Sequence, residues 1–78
     1  MNNSEKLAKV FADTFGISEA ETNGLQYQGI EQWDSVGHMT LIAAIEDAFD
    51  IQMDTDDVID MSSFEKAKEI LVKYNIVF

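Results

Sequence analysis

A carboxylate, a hydroxyl and an imidazole fall close together in Trp33-Asp34-Ser35-Val36-Gly37-His38. On a helix Ser35 and His38, three residues apart, would share a face, the first requirement of a nucleophilic pair. The other requirements are missing: no glycine-flanked nucleophile elbow surrounds Ser35, and one small domain offers no evident oxyanion hole. Ser35 therefore reads as an anchoring point rather than a catalyst, with helix capping as its structural alternative. His38 reads as a surface histidine. A second constellation, Asp54, Asp56, Asp60 and Glu65, matches positions 1, 3, 7 and 12 of a calcium-binding loop, but Val58 and Ile59 stand where that loop needs an oxygen ligand and a glycine. With no cysteine and a single histidine, the usual zinc constellations cannot be assembled, and no metal site is expected.

The charge is distributed unevenly. The chain of 78 residues carries a formal charge of −10, and between Lys9 and Lys66 it has no basic residue while holding thirteen of its fifteen carboxylates. Such a surface repels nucleic acid and anionic lipid, because counterion release requires basic groups, so its partners should be basic. The length bounds the chain to one domain, residues 1–78, of modest stability. The N-terminus lacks a basic segment leading into an uninterrupted apolar run, and no run is long enough to cross a bilayer. With the absence of cysteine, this points to a cytoplasmic monomer.

The elements that must position Ser35 follow from periodicity. Leu7, Val10, Phe11, Thr14 and Phe15 recur at helical spacing, with Gly16 as the stop. From Ile17 to Gln32 the pattern fails, which predicts a long connection tacked to the core by Leu25, Tyr27 and Ile30. From Ser35 to about Asp50 a broad stripe of Leu41, Ile42, Ile45, Ala48 and Phe49 predicts the central helix. Asp54 or Thr55 is expected to cap a short, loosely held helix through Val58 and Ile59, with Asp56 and Asp57 in its first turn. Ser62 and Glu65 have capping-box spacing before a last helix bearing Phe64, Ala67, Ile70, Leu71 and Tyr74 and closing near Asn75. Nothing alternates convincingly at period two. The expected fold is all-α, a four-helix bundle with a long first loop and a short third helix.

Asp34-Ser35-Val36, followed by His38-Met39 and by Leu41-Ile42-Ala43-Ala44-Ile45-Glu46-Asp47-Ala48-Phe49, resembles the acyl carrier proteins. The resemblance covers nearly the whole chain: first helix, long loop, Asp-Ser-aliphatic step, central helix with an acidic-aromatic end, short acidic third helix and closing fourth. Its strength lies in the register of the short motif with that layout and with the charge. It implies a non-enzymatic carrier in fatty-acid, polyketide or related specialised biosynthesis. A phosphopantetheinyl transferase would attach 4′-phosphopantetheine to Ser35, and Asp34 would help to orient that site. Glu46, Asp47, Asp56, Asp57 and Asp60 would face the basic patches of acyl-loading and acyl-processing enzymes, with Val36 and Met39 as the apolar contact. Val36 and Met39 are equally open to a core role, and each acid to an ordinary solvated one.

The chain departs from the family pattern after the serine. Many fatty-acid carriers have an acid soon after it and another about a turn later, where this chain has Gly37-His38 and Thr40, so a dedicated pathway is expected rather than a standard fatty-acid synthase. The approach Gln32-Trp33-Asp34-Ser35 does not match the Gly-Gly-His-Ser type of peptidyl carriers. Met1 and the lack of flanking linkers point to a free-standing carrier. Gly37 costs about 1 kcal/mol inside a helix relative to alanine, so either a close backbone or arm approach retains it or it is drift. The alternative to a carrier is an acidic helical adaptor that binds a basic partner without covalent modification.

Overall fold

The computed structural model describes residues 2–78, and over that range the protein is all-α. Four α-helices, α1 (Asn3–Phe15), α2 (Ser35–Phe49), α3 (Thr55–Asp60) and α4 (Phe64–Val72), are joined by a 3₁₀ turn at Glu19–Thr22 and irregular segments. α1 begins where the Asn2 side chain accepts from the Glu5 amide, and it ends at Gly16, whose φ of 68° carries the left-handed cap that a side chain would resist. Its buried face is Leu7, Phe11, Ala12 and Phe15.

One apolar core joins all four helices and the connection between α1 and α2. Leu41, Ile42 and Ile45 of α2 share that core with Phe64, Ala67, Ile70 and Leu71 of α4, and with Met61 between α3 and α4. Trp33 is fully buried at its centre, an anchor the periodicity did not identify because it lies outside any helical repeat. Its ring stacks on Phe15 at 5.5 Å and meets Phe11 edge-on at 5.4 Å, and Phe11 in turn meets Phe64 edge-on at 5.1 Å. Offset and edge-to-face contacts of this kind add about 0.5–1.5 kcal/mol each beyond area burial.

The connection at 16–34 is more fixed than an irregular sequence implies. Leu25 is buried, and its carbonyl accepts from the Phe64 amide at 2.9 Å while the Tyr27 amide donates to the Ser62 carbonyl at 2.8 Å. These bonds tie the segment to the start of α4, and they displace the expected helix cap by one residue. Ser63, not Ser62, caps α4, its Oγ accepting from the Lys66 amide at 2.9 Å, because the Ser62 backbone is committed to Tyr27.

α3 has only six residues, too few to be stable on its own. Asp54 sits at its N-cap, but no side-chain capping bond forms there. Tethers from other elements hold it instead. Asp57, 3% exposed, receives Lys73 Nζ on one oxygen and the Tyr74 hydroxyl on the other, both at 2.5 Å, and Tyr74 Oη also accepts from the Asp54 amide at 2.9 Å. None of the described helices is long and apolar enough to cross a membrane.

Candidate functional site

α2 opens at the most polar turn of an otherwise apolar helix. Asp34 is its N-cap, accepting from the Gly37 amide at 2.8 Å, while the Asp34 carbonyl receives the His38 amide at 2.7 Å. The capping role that the sequence left open to Ser35 therefore belongs to Asp34. Ser35 is the first helical residue and is exposed, and its hydroxyl is free of hydrogen bonds to the other described residues. Gly37 has a steric cause. A Cβ at this position would run into the Gln32 carbonyl oxygen, so the chain leading into α2 packs directly on the helix it starts.

Trp33 and His38 bracket this turn, at the positions before the cap and four residues into the helix, where a hydrophobic staple normally forms. Here the staple is aromatic: the two rings are nearly parallel, 14° apart, and Trp33 Nε1–H donates to His38 Nδ1 at 2.9 Å. The second ring nitrogen, Nε2, lies 2.7 Å from the Val58 carbonyl of α3. The expectation of a surface histidine is thus corrected: His38 is half-buried, with both nitrogens engaged and the Tyr27 ring edge-on to it at 5.6 Å. The staple positions were legible in the sequence, but a Trp–His pair is not the aliphatic pair usually sought there.

Beside Ser35 a cleft of about 370 Å³ opens between α2 and α3, lined by Tyr27, Ser35, His38, Met39, Val58, Ile59, Met61 and Ser62. Val36, Met39 and Ile59 stand at 74%, 58% and 72% exposure, which answers the question left open for Val36 and Met39. They are surface, not core, and with Ile59 they give the serine an apolar surround. Ile59 had no periodic partner in sequence to mark it.

The five acids expected to face partners divide into two groups. Asp47, Asp56 and Asp60 are exposed, as a docking role requires. Glu46 is half-buried and spends one oxygen on the Met53 amide at 2.9 Å, holding the turn after α2. Asp57 is a correction: it points into the protein and is consumed by Lys73 and Tyr74, so it is a tether of α3 and not a docking group. The hydrogen bond from Lys73, then that from Tyr74, holds its carboxyl below the usual carboxylate range against the opposing effect of burial. The same contact with Asp57 pushes both Lys73 and Tyr74 up. Lys73 and Tyr74 lie sixteen and seventeen residues beyond Asp57, a separation that local spacing rules do not reach.

No family model matches this chain, and no curated protein or solved structure matches it either.

Proposed function

We propose that this chain is an acyl carrier protein, a non-catalytic four-helix bundle that carries acyl groups for partner enzymes. The observation that carries the reading is Ser35: an exposed, unengaged hydroxyl on the first residue of the central helix, with its backbone fixed on both sides and an apolar cleft beside it. An enzyme that transfers a group to this hydroxyl meets no capping bond that must first be broken. A phosphodiester attached there would lie at a helix N-terminus, where the dipole and unpaired amides favour an anion. The residues present fit a 4′-phosphopantetheine arm, with Ser35 as its attachment point and Asp34 holding the turn. When attached, the arm supplies a thiol that holds acyl groups as thioesters.

The chain itself contributes presentation and docking. Val36, Met39 and Ile59 offer an apolar contact next to the serine, and Asp47, Asp56 and Asp60 are exposed on α2 and α3 to meet a basic enzyme surface. Steered, transient docking is sufficient for such a role, because a tethered cargo is delivered at high effective concentration without tight binding. Under this reading the protein works as a monomer in the cytoplasm, its partners are a phosphopantetheinyl transferase and acyl-loading and acyl-processing enzymes, and its pathway is fatty-acid, polyketide or a related specialised synthesis. The absence of an acid at Gly37, His38 and Thr40 favours a dedicated pathway.

The test is intact mass after incubation with coenzyme A, magnesium and a permissive phosphopantetheinyl transferase. Wild type is expected to gain one arm and Ser35→Ala none. A wild-type chain that stays unmodified with several such transferases overturns the proposal in favour of an unmodified adaptor.

A further inference from the structure

The two bonds to His38 fix its chemistry. An indole nitrogen only donates, so His38 Nδ1, which receives Trp33 Nε1–H, must carry a lone pair. The ring proton of neutral His38 is then on Nε2, where it donates to the Val58 carbonyl. That carbonyl is among the last of α3, and the backbone N–H that caps the helix goes to Asp57, not to Val58. A single form of the imidazole, neutral with its proton on Nε2, satisfies both contacts. A protonated ring keeps the bond to Val58 but sets Nδ1–H against the indole N–H, donor facing donor.

We propose that His38 is a positioning residue for Ser35 that works only while neutral, linking the segment before α2 to α3, and that its protonation releases Trp33 while leaving α3 capped. This rests on the carrier reading and adds to it a control of how the attachment site is presented. The link crosses the wall of the cleft that Ser35 lines, so its release loosens the turn holding the serine rather than the serine itself. The surroundings of His38 do not offset the lost bond. Tyr27 meets it through a ring edge, Asp34 at the cap of its own helix is spent on the Gly37 amide, and Asp57, next to Val58, is turned to Lys73 and Tyr74. Asp56 and Asp60 of α3 are exposed, and no carboxylate pairs with the His38 ring among the described residues.

Because the chain has one tryptophan and one histidine, the test is free of overlap. The ¹⁵N resonances of the His38 ring and the Trp33 indole N–H are followed on the intact protein from about pH 8 to about pH 5, the interval over which imidazoles change charge. The expected result is an Nε2–H tautomer at high pH and an indole N–H that moves and exchanges about tenfold faster as His38 is protonated, the change expected from losing one hydrogen bond. An Nδ1–H tautomer, or an indole resonance that stays fixed while His38 titrates, overturns the link. The functional half is read as the ratio of arm transfer to wild type over transfer to His38→Gln across the same range, which cancels the transferase's own pH dependence. A ratio that falls toward acid supports presentation control, and a flat ratio overturns it. If neither protein accepts an arm, the carrier reading fails, while the tautomer and indole shifts still decide the link.

Discussion

Substituting Gly37 by alanine sets two physical effects against each other with opposite signs. Propensity alone makes the change favourable, since glycine in a helix interior is about 1 kcal/mol worse than alanine. The structure reverses the sign. The added methyl would overlap the Gln32 carbonyl, a backbone atom that cannot rotate away, so either the chain before α2 or the first turn itself must shift. Overpacking of this kind costs about 1–3 kcal/mol. A shift also strains the Asp34 cap, whose bond goes to the Gly37 amide, and caps contribute about 1 kcal/mol. After the propensity gain is subtracted, Gly37→Ala is expected to lose about 1–3 kcal/mol. For a domain of this size that corresponds to roughly 4–24 °C in Tm, a range set by about 4–8 °C per kcal/mol. Thermal and urea unfolding of the two proteins measure it, and arm transfer to Ser35, two residues away, should slow in the folded variant. A Gly37→Ala protein more stable than wild type would refute the close approach and leave the glycine as drift.

Other expectations follow from single contacts. Ser63→Ala should lose about 1 kcal/mol by urea unfolding, as the loss of a cap does, while Ser62→Ala should change stability by less than about 0.5 kcal/mol. Asp57→Asn should lower Tm, loosening α3 first, which hydrogen exchange at Val58 and Met61 would reveal. The same Asp57 contact has a pH signature. Its carboxyl is held below the ordinary carboxylate value, so its stabilisation is complete above about pH 4 and is lost as acid protonates it below that. Lys73 is raised, so its contribution is complete below about pH 10 and disappears as base deprotonates it. Acid unfolding of Asp57→Asn should therefore be less pH-dependent below about pH 4 than that of wild type. Added salt should raise Tm, because thirteen carboxylates with no intervening base repel one another, and a flat salt titration contradicts that account.

Helix positions were legible where an apolar stripe, a cap residue and a stop coincide. Leu7, Phe11 and Phe15 ending at Gly16 meet all three conditions, and α1 follows the sequence reading closely. The α4 cap was misread by one residue because Ser62 and Ser63 are chemically equal, and only the pairing of Tyr27 with the Ser62 carbonyl decides between them. The serine site was legible as a motif but not as a geometry. Asp34-Ser35 does not say which residue caps, and Trp33 and His38 look unrelated until the turn between them folds their rings together. Asp57 was misassigned for a different reason. In a run of exposed acids, nothing local marks the one whose partners, Lys73 and Tyr74, lie just past the end of the following helix.

These particulars converge on α3. A helix of six residues makes few backbone bonds of its own and leaves most of its terminal groups open, and the structure adds side-chain tethers from two sides. Lys73 and Tyr74 hold the Asp57 carboxylate from the turn that follows α4, and His38 holds the Val58 carbonyl from α2. The cleft beside Ser35 has α3 as one wall, through Val58 and Ile59. On this account its width depends on those side-chain tethers: the one on Asp57 is lost when the carboxylate loses its charge, while His38 keeps its bond to Val58 in either state and loses only Trp33. Cutting the tether to Lys73 and Tyr74 by Asp57→Asn should widen the cleft at any pH above about 4, whereas cutting the Trp33 link through His38 should act only toward acid. Binding of a small apolar fluorophore to the cleft separates the two: the Asp57 variant should bind more strongly than wild type near neutral pH, and His38→Gln should remove the acid-dependent change without abolishing binding. Equal binding by all three proteins at every pH would mean that α3 is held by its packing after all, and that Met61 and its neighbours, not the tethers, fix the wall.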